Sequence, residues 1–181
     1  MDKDDVLNSV TIREPTVDDA AVLKSFGEQI LSETSFFLHE PGDRARTVDD
    51  MKNVIQAFLN SPNSLMLGAW IGDTPIGEGV LIGGQLNRTR HTASLGIGVA
   101  SDYYGTGVAE RLMLGMEAWA VASGICRIEL TVMTHNIKAR RFYDRLGYQE
   151  EGLKRGSALI DGKWIDEFLM SKLFGDLADK R

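Results

Sequence analysis

Ile97-Gly98-Val99-Ala100-Ser101-Asp102-Tyr103-Tyr104-Gly105-Thr106-Gly107-Val108-Ala109-Glu110 is the stretch on which the architecture depends. An alternating run ends at Val99, small and polar residues make a turn, and a helical pattern with Leu112 and Met113 begins. A strand-to-helix turn of this kind leaves backbone N–H groups unpaired at the positive end of a helix dipole, which suits a phosphate. Glycines at 105 and 107 let such an anion approach the main chain without a Cβ in the way. An ordinary connection would use the same residues, so the turn alone does not name a ligand. No Gly-Lys-Ser/Thr follows it, which argues against a P-loop. Glu110 stands where a dinucleotide turn wants a third glycine, and a bulky acid there would crowd the helix and repel a pyrophosphate.

Upstream of the turn, Ala93, Leu95, Ile97 and Val99 alternate with Thr92, Ser94, Gly96 and Gly98, a strand. Before it, Leu65–Ile71 and Ile76–Gln85 read as two strands joined through Gly72-Asp73-Thr74-Pro75. Thr16-Val17-Asp18-Asp19 and Thr47-Val48-Asp49-Asp50 each place an acid three residues after a hydroxyl, opening two helices. The first is expected to reach about Phe37. The second carries Met51, Val54, Ile55, Phe58 and Leu59 on one face. A short strand, Ser9–Arg13, precedes both. Downstream, a helix from about Thr106 stops at Gly124, and a strand with Ile128, Leu130 and Val132 follows. A helix then opens at Asn136 and closes at Gly147. The strands Tyr148–Ile160 and Lys163–Leu173 turn through Asp161-Gly162. Strand–helix–strand from Thr92 to Met133 requires a parallel pair, while the hairpins are antiparallel. The expectation is one α/β (α+β) domain over residues 1–181: a mixed, mostly antiparallel central sheet with helices on both faces.

Composition narrows the function. The chain has 181 residues, 43% hydrophobic, with 20 basic and 26 acidic side chains and a net charge of -6. That balance disfavours a nucleic-acid backbone or an anionic membrane as partner. No apolar run approaches the roughly 20 residues of a span. Met1-Asp2-Lys3-Asp4-Asp5 lacks the basic-then-apolar order of a secretory signal, so a cytoplasmic location is expected. The single cysteine, Cys126, has no disulfide partner and is expected to be a buried thiol. No Cys/His cluster has metal spacing, and no metal is expected.

Tyr104-Gly105-Thr106-Gly107-Val108-Ala109 resembles the acetyl-CoA motif of the GNAT superfamily of N-acetyltransferases, Gln/Arg-x-x-Gly-x-Gly/Ala, with Tyr104 in the leading place. Asn136-Ile137-Lys138-Ala139-Arg140-Arg141-Phe142-Tyr143-Asp144-Arg145-Leu146-Gly147-Tyr148 looks like that family's Asn-x-x-Ala-x-x-Phe-Tyr-x-x-x-Gly-Phe/Tyr block. The likeness runs from about Ser9 to Leu173. It implies a splayed parallel strand pair and direct transfer of acetyl from acetyl-CoA to a primary amine of a small molecule or a peptide N-terminus. It also implies that Ile97, Gly98 and Val99 hold the acetyl and pantetheine end, with the Val99 N–H on the carbonyl oxygen. Gly105, Thr106, Gly107, Val108 and Ala109 would take the pyrophosphate. Tyr143 would protonate the departing sulfur, and Asn136 would bond the pantetheine amide.

Outside those motifs the assignment is more open. Asn136 also suits a helix N-cap. Lys138, Arg140, Arg141 and Arg145 suit a solvated face, with one or two free to neutralise the adenosine phosphates. Four side chains compete as general base: Glu78, a carboxylate inside a central strand; Glu33, late in the first helix; and His39 and His91. A water-mediated route is a further option. Phe36, Phe37, His39 and the loop to Arg46, with the Asp161–Trp164 hairpin, are candidates to choose a cationic acceptor. A CoA-binding module without activity and a nucleotide-binding protein are the competing classes. A homodimer through the last strands is a further expectation.

Overall fold

A computed structural model describes residues 3–179, so Met1 and Asp2 of the acidic start, with Lys180 and Arg181, lie outside the described residues. The chain order is α1 (Lys3–Ser9), β1 (Val10–Arg13), α2 (Ala20–Glu33), α3 (Val48–Leu59), β2 (Leu65–Ile71), β3 (Thr74–Gly83) and β4 (Thr92–Val99). It continues with α4 (Val108–Ala122), β5 (Arg127–Met133), α5 (Ile137–Arg145), β6 (Gln149–Ile160) and β7 (Lys163–Leu173). The strands form one sheet ordered β1-β2-β3-β4-β5-β7-β6. Among the described strands only β4 and β5 run parallel. The mixed, mostly antiparallel sheet expected from the sequence is present.

Two helix layers cover the sheet. Leu112, Met113, Met116 and Ala120 of α4 are fully buried against Ile76, Leu81 and Ile128, and Tyr143 of α5 joins the same cluster. On the other face Leu23 of α2 and Met51 and Ile55 of α3 close over Met66 and Trp70. Side chains alternate along each strand, so Gly77 and Gly79 of β3 face Leu112 and Met116 while Gly98 of β4 faces Ile30 and Phe37. The burial of a dozen large side chains, each worth about 1.5–3 kcal/mol, dominates the stabilisation.

Local chemistry explains the ends of the elements. At Thr47 the capping box is complete: its hydroxyl accepts from the Asp50 N–H at 3.0 Å, and the Asp50 carboxylate accepts from the Thr47 N–H at 2.8 Å. The box at Thr16 opens a single 3-10 turn, Val17–Asp19, before α2 begins. Arg13 grips Asp19 with two hydrogen bonds, at 2.7 and 2.9 Å, which ties that turn to β1. The turn after Ile160 uses left-handed backbone at both Asp161 (φ 49°) and Gly162 (φ 74°), the geometry that matches strand twist in a two-residue hairpin.

Several boundaries differ from the sequence expectation. Helix α2 stops at Glu33 rather than near Phe37, because Thr34 is extended (φ -158°, ψ 149°) and releases Phe36 and Phe37 into the following loop. A helix, α1, precedes the first strand, where polar residues hid any periodicity. Helix α4 starts at Val108, since Gly107 is left-handed (φ 96°) and cannot be its first turn. Cys126 is half-exposed rather than buried, because it lies in the connection before β5. In α3, Met51 and Ile55 are buried, while Val54 and Leu59 sit at the exposed edge of the face.

Candidate active site

The parallel pair is where the sheet opens. β4 and β5 hold together over only three rungs, Thr92–Arg127, Ala93–Ile128 and Ser94–Glu129, although both strands continue beyond them. The N–H of Ala100 reaches back to the Ile76 carbonyl. By alternation Gly98 and Gly96 also point toward β3, so on the other edge the Leu95 N–H meets Glu129 at the last rung, and the N–H groups of Ile97 and Val99 point into the gap. On the opposite side Thr134 donates to Asp166 of β7, which by the same parity aims Thr131 and Met133 into the gap. Buried strand amides without partners are costly in a finished structure. Here they line a cavity of about 1050 Å³ whose walls include Leu95–Val99 and Thr131–Met133.

The turn at the end of β4 supplies the second element. Ser101–Tyr103 form a 3-10 turn, Gly105 and Gly107 take φ of 75° and 96°, and α4 begins. The N–H groups of Gly105, Gly107, Val108, Ala109 and Glu110 donate to no described residue. Gly105 lines the cavity, and a Cβ there would meet no protein atom within 4 Å. Behind this cradle, Leu7 of α1 packs against Gly107, and Arg111 bonds the Leu7 and Val10 carbonyls. Glu33 braces the front by accepting from the Ser101 N–H at 2.7 Å and from Gln29 at 2.8 Å. Partial burial pushes the Glu33 carboxyl up, but these hydrogen bonds outweigh it and hold the group below its ordinary value. The donor set and the cavity beside it fit a pyrophosphate.

Helix α5 closes the third side. Asn136 caps it, accepting from the Ala139 N–H at 3.2 Å, and lines the cavity as well. Tyr143 is 9% exposed and stacks at an angle between Phe142 (5.4 Å) and Tyr148 (5.9 Å). Burial raises its phenol to about 12, and its hydroxyl has no hydrogen-bond partner among the described residues. A phenol in this state keeps its proton and can give it away.

Of the residues singled out from sequence, Glu33, Glu78, Ile97, Gly98, Val99, Tyr104, Gly105, Gly107, Ala109, Asn136, Lys138 and Tyr143 all line the one cavity. Thr106 and Val108 do not. The Thr106 hydroxyl and N–H both turn to the Tyr103 carbonyl, and the Val108 side chain is wholly buried, leaving only its N–H in the cradle. Arg140 packs over Phe168 and bonds the Thr134 carbonyl, whereas Arg145 borders the cavity. His91 belongs to the opposite end of β4, and the Asp161–Trp164 hairpin does not reach the cavity. Phe36, Phe37, Leu38, His39 and Arg44 do, with Phe36 stacked on His135 at 5.3 Å.

Two buried carboxylates flank the gap. Glu78 of β3 pairs in register with Gly98 and carries an ion pair to Arg44. Glu167 of β7 pairs in register with Met133, is 2% exposed, and is not among the residues that sequence patterns pick out. Two adjacent acids, Asp166 and Glu167, among the apolar residues of Trp164–Met170 were the available signal, less specific than the lone acid that singled out Glu78.

A split parallel pair that opens onto an anion cradle defines a protein that seats an extended, phosphate-bearing ligand as an extra strand. The description "Acetyltransferase (GNAT) family" matches residues 28–148, and the chain belongs to that family of acetyl-transferring enzymes. It is 32% identical over 122 residues to the L-amino acid N-acetyltransferase AaaT of Escherichia coli, an alignment covering 65% of this chain and 74% of that protein. A GNAT-family acetyltransferase from Streptococcus pneumoniae superposes with a TM-score of 0.87 at 32% identity, covering 91% of this chain and 99% of that one. The yncA acetyltransferase of Salmonella typhimurium, solved with acetyl-CoA, shares the fold at a TM-score of 0.82 and 16% identity, covering 93% and 95% of the two chains. No helix among the described residues is long and apolar enough to cross a membrane.

Proposed function

We propose that this chain moves an acetyl group from acetyl-CoA directly to a primary amine of a small molecule or a peptide N-terminus, within one domain that spans the chain and needs no metal. The observation that carries this is the register of the parallel pair: three rungs, then a gap lined by free strand amides and ending at a cradle of five free N–H groups. The pantetheine arm pairs with Leu95–Val99 as an added strand, the pyrophosphate sits on Gly105, Gly107, Val108 and Ala109, and Tyr104 and Lys138 border it. Asn136 adds a side-chain contact while it caps α5. The relative from Escherichia coli acts on L-amino acids, and the Salmonella neighbour holds acetyl-CoA, which supports both halves of the assignment.

The chemistry follows from position. The Val99 N–H points into the gap and stabilises the oxygen of the thioester carbonyl as charge develops there. The neutral amine attacks the carbonyl carbon, the carbon–sulfur bond breaks, and Tyr143 gives its proton to the sulfur. Glu78, directly opposite Gly98 and on the acceptor side, takes the proton the amine must lose, while Glu33 is committed to the turn. Holding both substrates in one gap provides much of the acceleration. The test is thiol release from acetyl-CoA across amino acids, polyamines, aminoglycosides and peptide N-termini. Release that depends on one class of amine is expected. Binding of acetyl-CoA with no amine-dependent release would leave a silent CoA-binding module instead.

A further inference from the structure

We infer that Glu167 is the carboxylate that receives the ammonium of the acceptor, and that Lys154 is its competitor for that charge. The inference rests on the acetyl-transfer reaction proposed above and adds the group that selects and places its second substrate.

Strand alternation decides which face Glu167 occupies. Phe168 and its partner Val132 pack into the cluster beneath α4 and α5. Their neighbours Glu167 and Met133 therefore belong to the opposite face, the one covered by α2 and α3. Glu78 shares that face, because its partner Gly98 looks toward Ile30 and Phe37. The gap between β4 and β5 is thus flanked on its acceptor side by one carboxylate from each outer strand.

The two carboxylates are not equivalent. Arg44 holds Glu78 in an ion pair, so that wall is close to neutral. Glu167 has only the Lys154 ammonium, 3.4 Å away on a side chain that is 50% exposed, and a pair so long and so wet contributes little. One oxygen of Glu167 takes that contact. The other accepts no hydrogen bond, yet it is not sealed, and the residue lines the cavity with its side chain 3% exposed. A carboxylate nine-tenths buried is stable only if something positive satisfies it. A primary amine in water is an ammonium, and the open side of Glu167 faces the space where it must arrive. The ring pair of Phe36 and His135 borders the same space and adds an aromatic wall beside a cation.

The two partners predict shifts of opposite sign. With L-leucine, 1,4-diaminobutane, an aminoglycoside and an alanyl tripeptide as probes, one for each class of amine, wild-type thiol release first identifies a working acceptor. If none of them works, the acetyl-transfer assignment itself fails. With that acceptor, Glu167→Gln should raise its KM roughly ten- to a hundredfold, the loss expected for a charge-assisted hydrogen bond. Glu167→Asp should fall between the two, and the KM for acetyl-CoA should stay put in both. Lys154→Met frees Glu167 from its competitor and should lower the acceptor KM about two- to fivefold. A purely structural Glu167 would move the acetyl-CoA KM and the melting temperature together and would give Lys154→Met the same sign. That pattern, or an unchanged acceptor KM in Glu167→Gln, overturns the assignment.

Discussion

Replacing Gly107 by alanine separates the backbone from the ligand. Gly107 sits at φ 96° and ψ -2°, a region that L side chains rarely adopt. The left-handed conformation costs a residue with a Cβ roughly 1–2 kcal/mol. The new Cβ would also lie 3.3 Å from Leu7, whose flexible end can yield a few tenths of an ångström, so the contact adds little. For a chain of this length 1–2 kcal/mol corresponds to a melting temperature lower by about 2–8 °C. Gly105→Ala is the comparison: φ is 75°, the strain is similar, but its Cβ would meet no protein atom and would stand on the wall of the cavity. Differential scanning fluorimetry with and without acetyl-CoA reads both quantities. Both variants should melt lower than wild type, and Gly105→Ala should also lose most of the acetyl-CoA-induced rise. If Gly105→Ala keeps the full rise, the pyrophosphate does not rest against that glycine and the cradle is misassigned.

Tyr143→Phe should lower turnover about a hundredfold with little change in the KM for acetyl-CoA, the loss typical of a missing general acid. Its phenol, raised to about 12, stays protonated through any ordinary assay, so the deficit should be constant from about pH 6 to 9. Unchanged turnover would remove the proton-donor role. Asp19 tests the Arg13 tie: the guanidinium beside it lowers its carboxyl from 3.8 to about 2. A depressed carboxyl stabilises the fold above its unfolded value and loses that contribution as pH falls. Asp19→Asn should therefore cost about 1–2 kcal/mol in urea melts at about pH 7, after allowing for the exposure of Arg13, and only a small fraction of that near pH 2. An equal cost at both pH values would mean that the charge is irrelevant.

Much of this architecture was legible because its signals are local. The box at Thr47 needs only residues 47 and 50, the Asp161-Gly162 turn needs two, and the anion cradle needs the glycines at 105 and 107. What resisted depended on distant parts of the chain. Glu167 looks like any strand acid until its register with Met133 sets it beside the gap. Glu33 was a plausible base from its helix position, yet its carboxylate is tied to Ser101, 68 residues away. Phe36 and Phe37 prolonged an apolar pattern that the backbone had already left at Thr34. The likeness of the two motifs to a known family supplied what spacing alone could not, namely which phosphate carrier the turn suits.

Arg111 reaches across 104 residues of sequence to the Leu7 carbonyl, and Leu7 backs Gly107. The proposed pyrophosphate cradle is therefore mechanically continuous with the first helical segment. A fusion partner or a truncation that perturbs residues 3–9 would loosen a cradle some hundred positions downstream while leaving the acceptor side intact. During synthesis on the ribosome, the Leu7 and Val10 carbonyls gain this partner only after Arg111 has emerged.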